Sequence, residues 1–171
     1  PAVEIFVKLS ELEVNCIDTS GSVPLTPETT EFPRQAFGLR VTIFLQKIVL
    51  AKPQFSLIQG AYAYDYDCSD CYEEEYISED TLQAIKIIAM KDFSPLFKAG
   101  SDVSSLFYLL NYRSFLPVAE VQNNVWPHRL NYSPSQAADF MLMKSEGAYE
   151  EQQFKIVYKM SSKRELVDST A

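Results

Sequence analysis

The residues best equipped for chemistry lie between Gly60 and Tyr76, where Cys68 and Cys71 stand in C-x-x-C spacing among Asp65, Asp67, Asp70, Glu73, Glu74 and Glu75. Two thiols at that spacing serve redox exchange, a local disulfide or zinc. Redox use requires a depressed thiol pKa, which a helix N-terminus or a nearby cation supplies. Six surrounding carboxylates do the opposite, so thioredoxin-like chemistry is set aside. A four-cysteine zinc site needs a second pair, and the three cysteines of the chain leave only Cys16. With the single His128, a set of three cysteines and one histidine can be assembled, but at an arbitrary spacing. The plainer reading is a Cys68–Cys71 disulfide closing a turn, or two unpaired loop thiols.

Calcium is the other metal to weigh. Asp65, Asp67 and Ser69 begin like an oxygen-ligand loop. The sixth position is Asp70 rather than glycine and the twelfth is Tyr76 rather than glutamate, which excludes an EF-hand. An irregular site drawing on Asp65, Asp67, Cys68, Asp70 and Cys71 stays as the alternative to a solvated acidic loop. No cofactor is expected unless calcium or zinc binds there.

Aromatic residues supply the remaining candidates. Tyr62, Tyr64 and Tyr66 alternate, so on a strand they share one face. Exposed, they would stack against sugar rings or a peptide; buried, they are part of the core, which is the commoner fate of an aromatic stripe. Trp126, His128 and Arg129, with Tyr112, Phe115 and Tyr132, mix flat rings with a cation in a way that suits glycan or peptide recognition. Pinning a long loop to the domain is the competing role. Catalysis has less support. One histidine, no G-x-S-x-G elbow, no Gly-rich phosphate loop and no H-E-x-x-H leave no recognisable constellation. A carboxylate pair of the glycosidase kind can always be drawn among 23 acidic residues, so sequence alone gives it no test.

The elements that must position these groups read mainly as strands. Val3, Ile5, Val7 and Leu9 share a face; Leu12, Val14 and Cys16 continue with shifted parity, which predicts a bulge at Ser10-Glu11. A Ser/Thr/Pro-rich connection follows from about Thr19 to Pro33. Phe37, Leu39, Val41, Ile43 and Leu45 alternate with wetter residues, as in a half-buried antiparallel sheet. Further strands are expected over 55–66 and 82–90, around Phe140, and over 154–160 and 165–167. Turns at Ser145-Glu146-Gly147 and Ser161-Ser162-Lys163 separate the last of these. Val103, Leu106, Phe107 and Leu110 fall at i, i+3, i+4 and i+7, which predicts a short helix near 102–111 capped by Ser101 or Asp102. The span from Tyr112 to Pro134 reads as irregular, with Pro117, Pro127 and Pro134 as breakers. This pattern predicts an all-β fold in one domain over 1–171, an antiparallel β-sandwich of Ig-like or related type with one short helix; a barrel is the second choice.

Composition bounds the partners. The chain has 171 residues, 47% hydrophobic and 22% charged, with a formal net charge of −8. That is globular composition with enough length for a core. The acidic balance repels phosphate backbones and sets nucleic acid aside. No apolar run reaches the length of about 20 residues that a membrane-spanning helix needs. The sequence starts at Pro1 without methionine, which reads as a processed or trimmed form; removal of a signal peptide is one way to produce it, though none is visible in the sequence.

Three stretches carry a resemblance: Ala36-Phe37-Gly38-Leu39-Arg40-Val41, then Thr81 to Phe93 with Ala99 to Phe107, and Gln153 to Lys159. They resemble the uncharacterised predicted lipoproteins of Bacteroides-type bacteria, domains of unknown function. The resemblance implies a β-sandwich in the cell envelope, periplasmic or attached to the outer membrane by an N-terminal lipid anchor on the precursor. The lipidation cysteine itself is not in the sequence. The family has no assigned activity, so no residue role transfers. The expectation is a non-enzymatic binding or interaction module with a protein or glycan ligand. A glycan-acting hydrolase using a carboxylate pair is one alternative; a metal-binding protein using the Cys68/Cys71 acidic loop is the other.

Overall fold

The computed structural model describes residues 3–20, 36–48, 74–111, 114–121, 129–130, 135–143 and 152–170. Among them run ten strands: β1 (Val3–Asp18), β2 (Phe37–Lys47), β3 (Glu74–Ser78), β4 (Leu82–Ala89), β5 (Phe107–Asn111), β6 (Ser114–Pro117), β7 (Arg129–Leu130), β8 (Ser135–Leu142), β9 (Phe154–Met160) and β10 (Glu165–Ser169). They form a seven-stranded sheet, β6-β5-β8-β2-β1-β3-β7, and a three-stranded sheet, β10-β9-β4. The architecture is all-β and sandwich-like. Pairing is antiparallel apart from the parallel contact of β1 with β3. The described strands divide seven and three, whereas a constant-type immunoglobulin domain divides four and three.

β1 owes its length to the bulge that its sequence predicts. Leu9 pairs with Leu45, Glu11 with Phe44, and Ser10 is the extra residue between them. The Ser10 hydroxyl donates to the Phe44 carbonyl at 2.9 Å. Before the bulge Ile5, Val7 and Leu9 face inward; after it Leu12, Val14 and Cys16 do. Without the extra residue the second half of the strand would turn its apolar side to water. Across the ladder, Leu39, Val41 and Ile43 of β2 are fully buried. Gly38 opens that strand where backbone comes close: a Cβ there would lie 2.9 Å from the Phe140 carbonyl oxygen and 2.9 Å from Thr19 Cγ2. Only glycine fits.

Between the sheets sits an aromatic core. Phe93, Phe107, Phe140, Phe154 and Tyr158 are among the largest fully buried side chains. The Phe154 ring is 5.3 Å from Phe107, 5.5 Å from Phe37 and 6.1 Å from Phe93, centroid to centroid. Pairs in this range contribute about 0.5–1.5 kcal/mol each beyond the area they bury.

The helix expected near 102–111 is corrected to a 3₁₀ turn over Ser104–Leu106 followed directly by β5. Asp102 Oδ1 accepts from the Ser104 N–H at 3.0 Å and its hydroxyl at 2.6 Å, which tightens the turn. Beyond it Phe107 and Leu109 are buried in alternation, and β5 pairs with both β6 and β8. A turn followed by a two-residue period mimics helical spacing for seven residues, and the cross-strand ladder overrides it. The span 112–134, expected to be irregular, contains β6, the 3₁₀ turn Val118–Glu120 and β7 among its described residues. No helix among the described residues is long and apolar enough to cross a membrane.

The sheets are joined at both margins. On one side the segment 101–103 adds to β4: Val103 N–H donates to the Ile87 carbonyl at 2.8 Å and Ala89 N–H to the Ser101 carbonyl at 3.0 Å. The chain then enters β5 in the large sheet. On the other side, β10 lies along the edge of β1 that β3 leaves uncovered. There the Arg164 guanidinium donates to the Leu9 carbonyl, and Asp168 Oδ2 accepts from the Val14 N–H at 2.8 Å.

Candidate functional site

Tyr62, Tyr64, Tyr66, Asp65, Asp67, Cys68, Asp70, Cys71, Trp126 and His128 lie outside the described residues, as do the expected strand over 55–66 and the turn at 145–147. Arg129 is placed by its backbone alone, in β7 at the register position opposite Ile77. The acidic segment becomes visible at its far end, where it enters β3. Tyr76 is buried there, and the Lys47 ammonium sits 5.3 Å from the centre of its ring. The third cysteine, Cys16, pairs with Leu39 on the inner side of the large sheet, and burial raises its thiol pKa. A thiol held protonated in this way makes a poor nucleophile and a poor ligand. Among the described residues no group of three histidines, cysteines or carboxylates is gathered closely enough to hold a metal ion.

What the structure does gather is a polar knot that sequence reasoning missed. Asp80, 7% exposed, follows β3 and reaches the turn between β9 and β10. Its Oδ1 accepts from the Ser161 hydroxyl at 2.6 Å and the Ser162 N–H at 2.9 Å. Oδ2 accepts from the Ser162 hydroxyl. Thr81 N–H donates to Ser161 Oγ, and Ser161 N–H returns a bond to the Thr81 carbonyl. Burial pushes the Asp80 carboxyl up, but the Ser161 and Ser162 bonds and the charge of Arg164 outweigh it and leave the pKa lowered. The turn carries a backbone irregularity as well, since Lys163 has φ of 69°, the left-handed region. Arg164 then leaves this turn to reach Leu9 in the other sheet. An ionised carboxylate saturated by hydroxyls and an amide is equipped to hold two turns together.

A second carboxylate does similar work at the opposite margin. Asp92 Oδ1 accepts from the Ala99 N–H at 2.9 Å, and Oδ2 meets Lys98 Nζ at 3.1 Å. The Ala99 bond, followed by the Lys98 bond, lowers its pKa. Phe93 anchors the same loop from beneath, buried and edge-on to Phe97. On the outer side of the large sheet Arg40 and Asp139, directly paired across β2 and β8, form a bidentate ion pair at 2.7 and 2.8 Å.

The outward face of the small sheet has a different character. Register places three rows across it: Ala84, Lys159 and Glu165; Lys86, Val157 and Val167; Ile88, Lys155 and Ser169. Lys159 and Glu165 are ion-paired at 3.1 Å, while Lys86 and Lys155 form no ion pair among the described residues. The signal for this face was present as the Lys155, Val157, Lys159 alternation. Compared with known proteins, the chain matches no family model, no curated protein and no solved structure.

Proposed function

We propose that this chain is a non-enzymatic binding or interaction module of the cell envelope, a β-sandwich that presents its outward sheet faces to a protein or glycan ligand. The observation that carries the reading is the use of the carboxylates. Asp18, Asp80 and Asp92 all have lowered pKa values, and each accepts hydrogen bonds from the backbone or from serine and lysine side chains that shape turns. A general acid for glycoside cleavage needs the opposite, a carboxyl held protonated near neutral pH. These three carboxylates serve as structural acceptors and do not supply the protonated general acid that a hydrolase needs. The envelope location rests on the resemblance of residues 36–41, 81–93, 99–107 and 153–159 to predicted lipoproteins.

The test is co-sedimentation of the protein with purified cell-envelope fractions, with reducing sugar ends measured in the same tubes. Saturable binding without release of new ends is the expected result. Release of ends by the wild type, abolished by a single carboxylate substitution, would sink the reading in favour of a hydrolase.

A further inference from the structure

The geometry points to the outward face of β4, β9 and β10 as a docking surface for an acidic, extended polypeptide segment of a partner. The inference rests on the binding-module reading and names the chemistry of the ligand.

Charge singles out this face. The strands of the large sheet carry seven acidic residues (Glu4, Glu11, Glu13, Asp18, Glu74, Glu75, Asp139) against four basic ones (Lys8, Arg40, Lys47, Arg129). β4 and β9 carry three lysines and no carboxylate at all, and the only outward-facing acid on β10 is Glu165. In a chain of net charge −8 the outward face of the small sheet is therefore the positive one among the described strands. Lys86 is exposed and Lys155 half-exposed, one row apart in the register.

The pattern of apolar residues points to a strand-like ligand. Along β9 the outward positions read Lys155, Val157, Lys159, and the central row runs Lys86, Val157, Val167. Val167, at the outer strand of that row, is 48% exposed. Val157 itself is buried at 5% exposure, so the accessible apolar surface of the row is Val167, flanked by the lysines at the two-residue spacing of a sheet face. A segment alternating carboxylates with small apolar side chains matches both features.

Range decides between an acidic peptide and a larger anionic surface. Screening confines a surface charge to about 8 Å at physiological ionic strength. A short acidic segment lying on the sheet senses the lysines beneath it. A bilayer of anionic lipid or a nucleic acid spans the molecule and meets the surplus of carboxylates on the rest of the chain as well. The polypeptide is the occupant that this charge distribution favours.

The test uses the whole chain and a fluorescein-labelled peptide of alternating glutamate and valine, read by fluorescence anisotropy and by amide chemical-shift changes. Saturable binding that shifts amides of β4, β9 and β10, and weakens as salt rises, is expected. The double variant Lys86→Glu/Lys155→Glu should lose at least about tenfold in affinity, equivalent to about 1.4 kcal/mol. Lys86→Gln/Lys155→Gln should fall between it and wild type, with unchanged thermal stability showing that both variants fold. Binding that survives charge reversal, shifts confined to the large sheet, or equal binding to phosphatidylglycerol vesicles would each overturn the inference. No peptide binding in a protein that still co-sediments with envelope fractions would defeat this inference and leave the module reading standing; failure of both would defeat both.

Discussion

At the margin between β4 and β5 the two sheets are joined by backbone: segment 101–103 continues the β4 ladder, and Phe93, Phe107 and Phe154 pack beneath it. At the margin between β1 and β10 they are joined by side chains, through Arg164 to Leu9 and Asp168 to Val14, with Asp80 bracing the turn from which Arg164 departs. Both arrangements satisfy strand edges that would otherwise invite another chain to pair with them. The difference lies in what can undo them. A backbone ladder over an aromatic cluster responds to volume; a side-chain clamp responds to charge and pH.

The largest effect is expected at the backbone margin. Phe154→Ala should lower stability by about 3–5 kcal/mol, because it empties the centre of the ring cluster. Denaturant unfolding measures it, and a loss near 1 kcal/mol would mean that the cluster closes over the gap. At the clamp, Asp80→Ala removes a buried carboxylate and strands its donors, which should cost about 2–3 kcal/mol. The same residue gives the margin its pH dependence. The folded pKa of Asp80 lies below the ordinary 3.8, so its stabilisation is complete above that value and is lost as pH falls through the lowered one. Asp80→Asn should therefore flatten the acid limb of the stability curve. An unchanged acid limb would move the pH sensitivity to other carboxylates.

Much of the fold was legible because most strands have one wet face. The bulge could be read from a change of parity at Ser10-Glu11, β2, β4, β9 and β10 from their apolar spacing, and β8 only at its end around Phe140, since Ser135 to Asp139 offer little apolar pattern. β3 was hidden because Glu74 and Glu75 looked like the tail of an acidic loop, and β6 because its four residues offer too little pattern. The segment 102–111 misled because a turn and a strand together reproduced helical spacing. The Asp80 knot had no local signature: its hydroxyl partner Ser161 is 81 residues away, and serines in a turn look alike whatever they hold. The candidate residues between 62 and 71, with Trp126 and His128, remain a reading of sequence, outside the described residues.

Two finer predictions sharpen the contrast. Asp168→Ala should cost about 1–2 kcal/mol by leaving the Val14 N–H unpaired. It should also speed hydrogen exchange at Val14 while leaving Val103, on the backbone margin, unchanged. Equal acceleration at both amides would show that the margins open together. The smallest change is a gain: Lys163→Gly relieves the left-handed backbone of the β9–β10 turn and should stabilise by up to about 1 kcal/mol, read as a rise in Tm.

The position of β10 against β1 has a mechanical consequence. These are the first and last described strands, and they face each other where the sheets meet. Tension applied through the two does not have to travel through the aromatic interior. It is borne first by Arg164 and Asp168, two contacts that can part while both ladders stay intact.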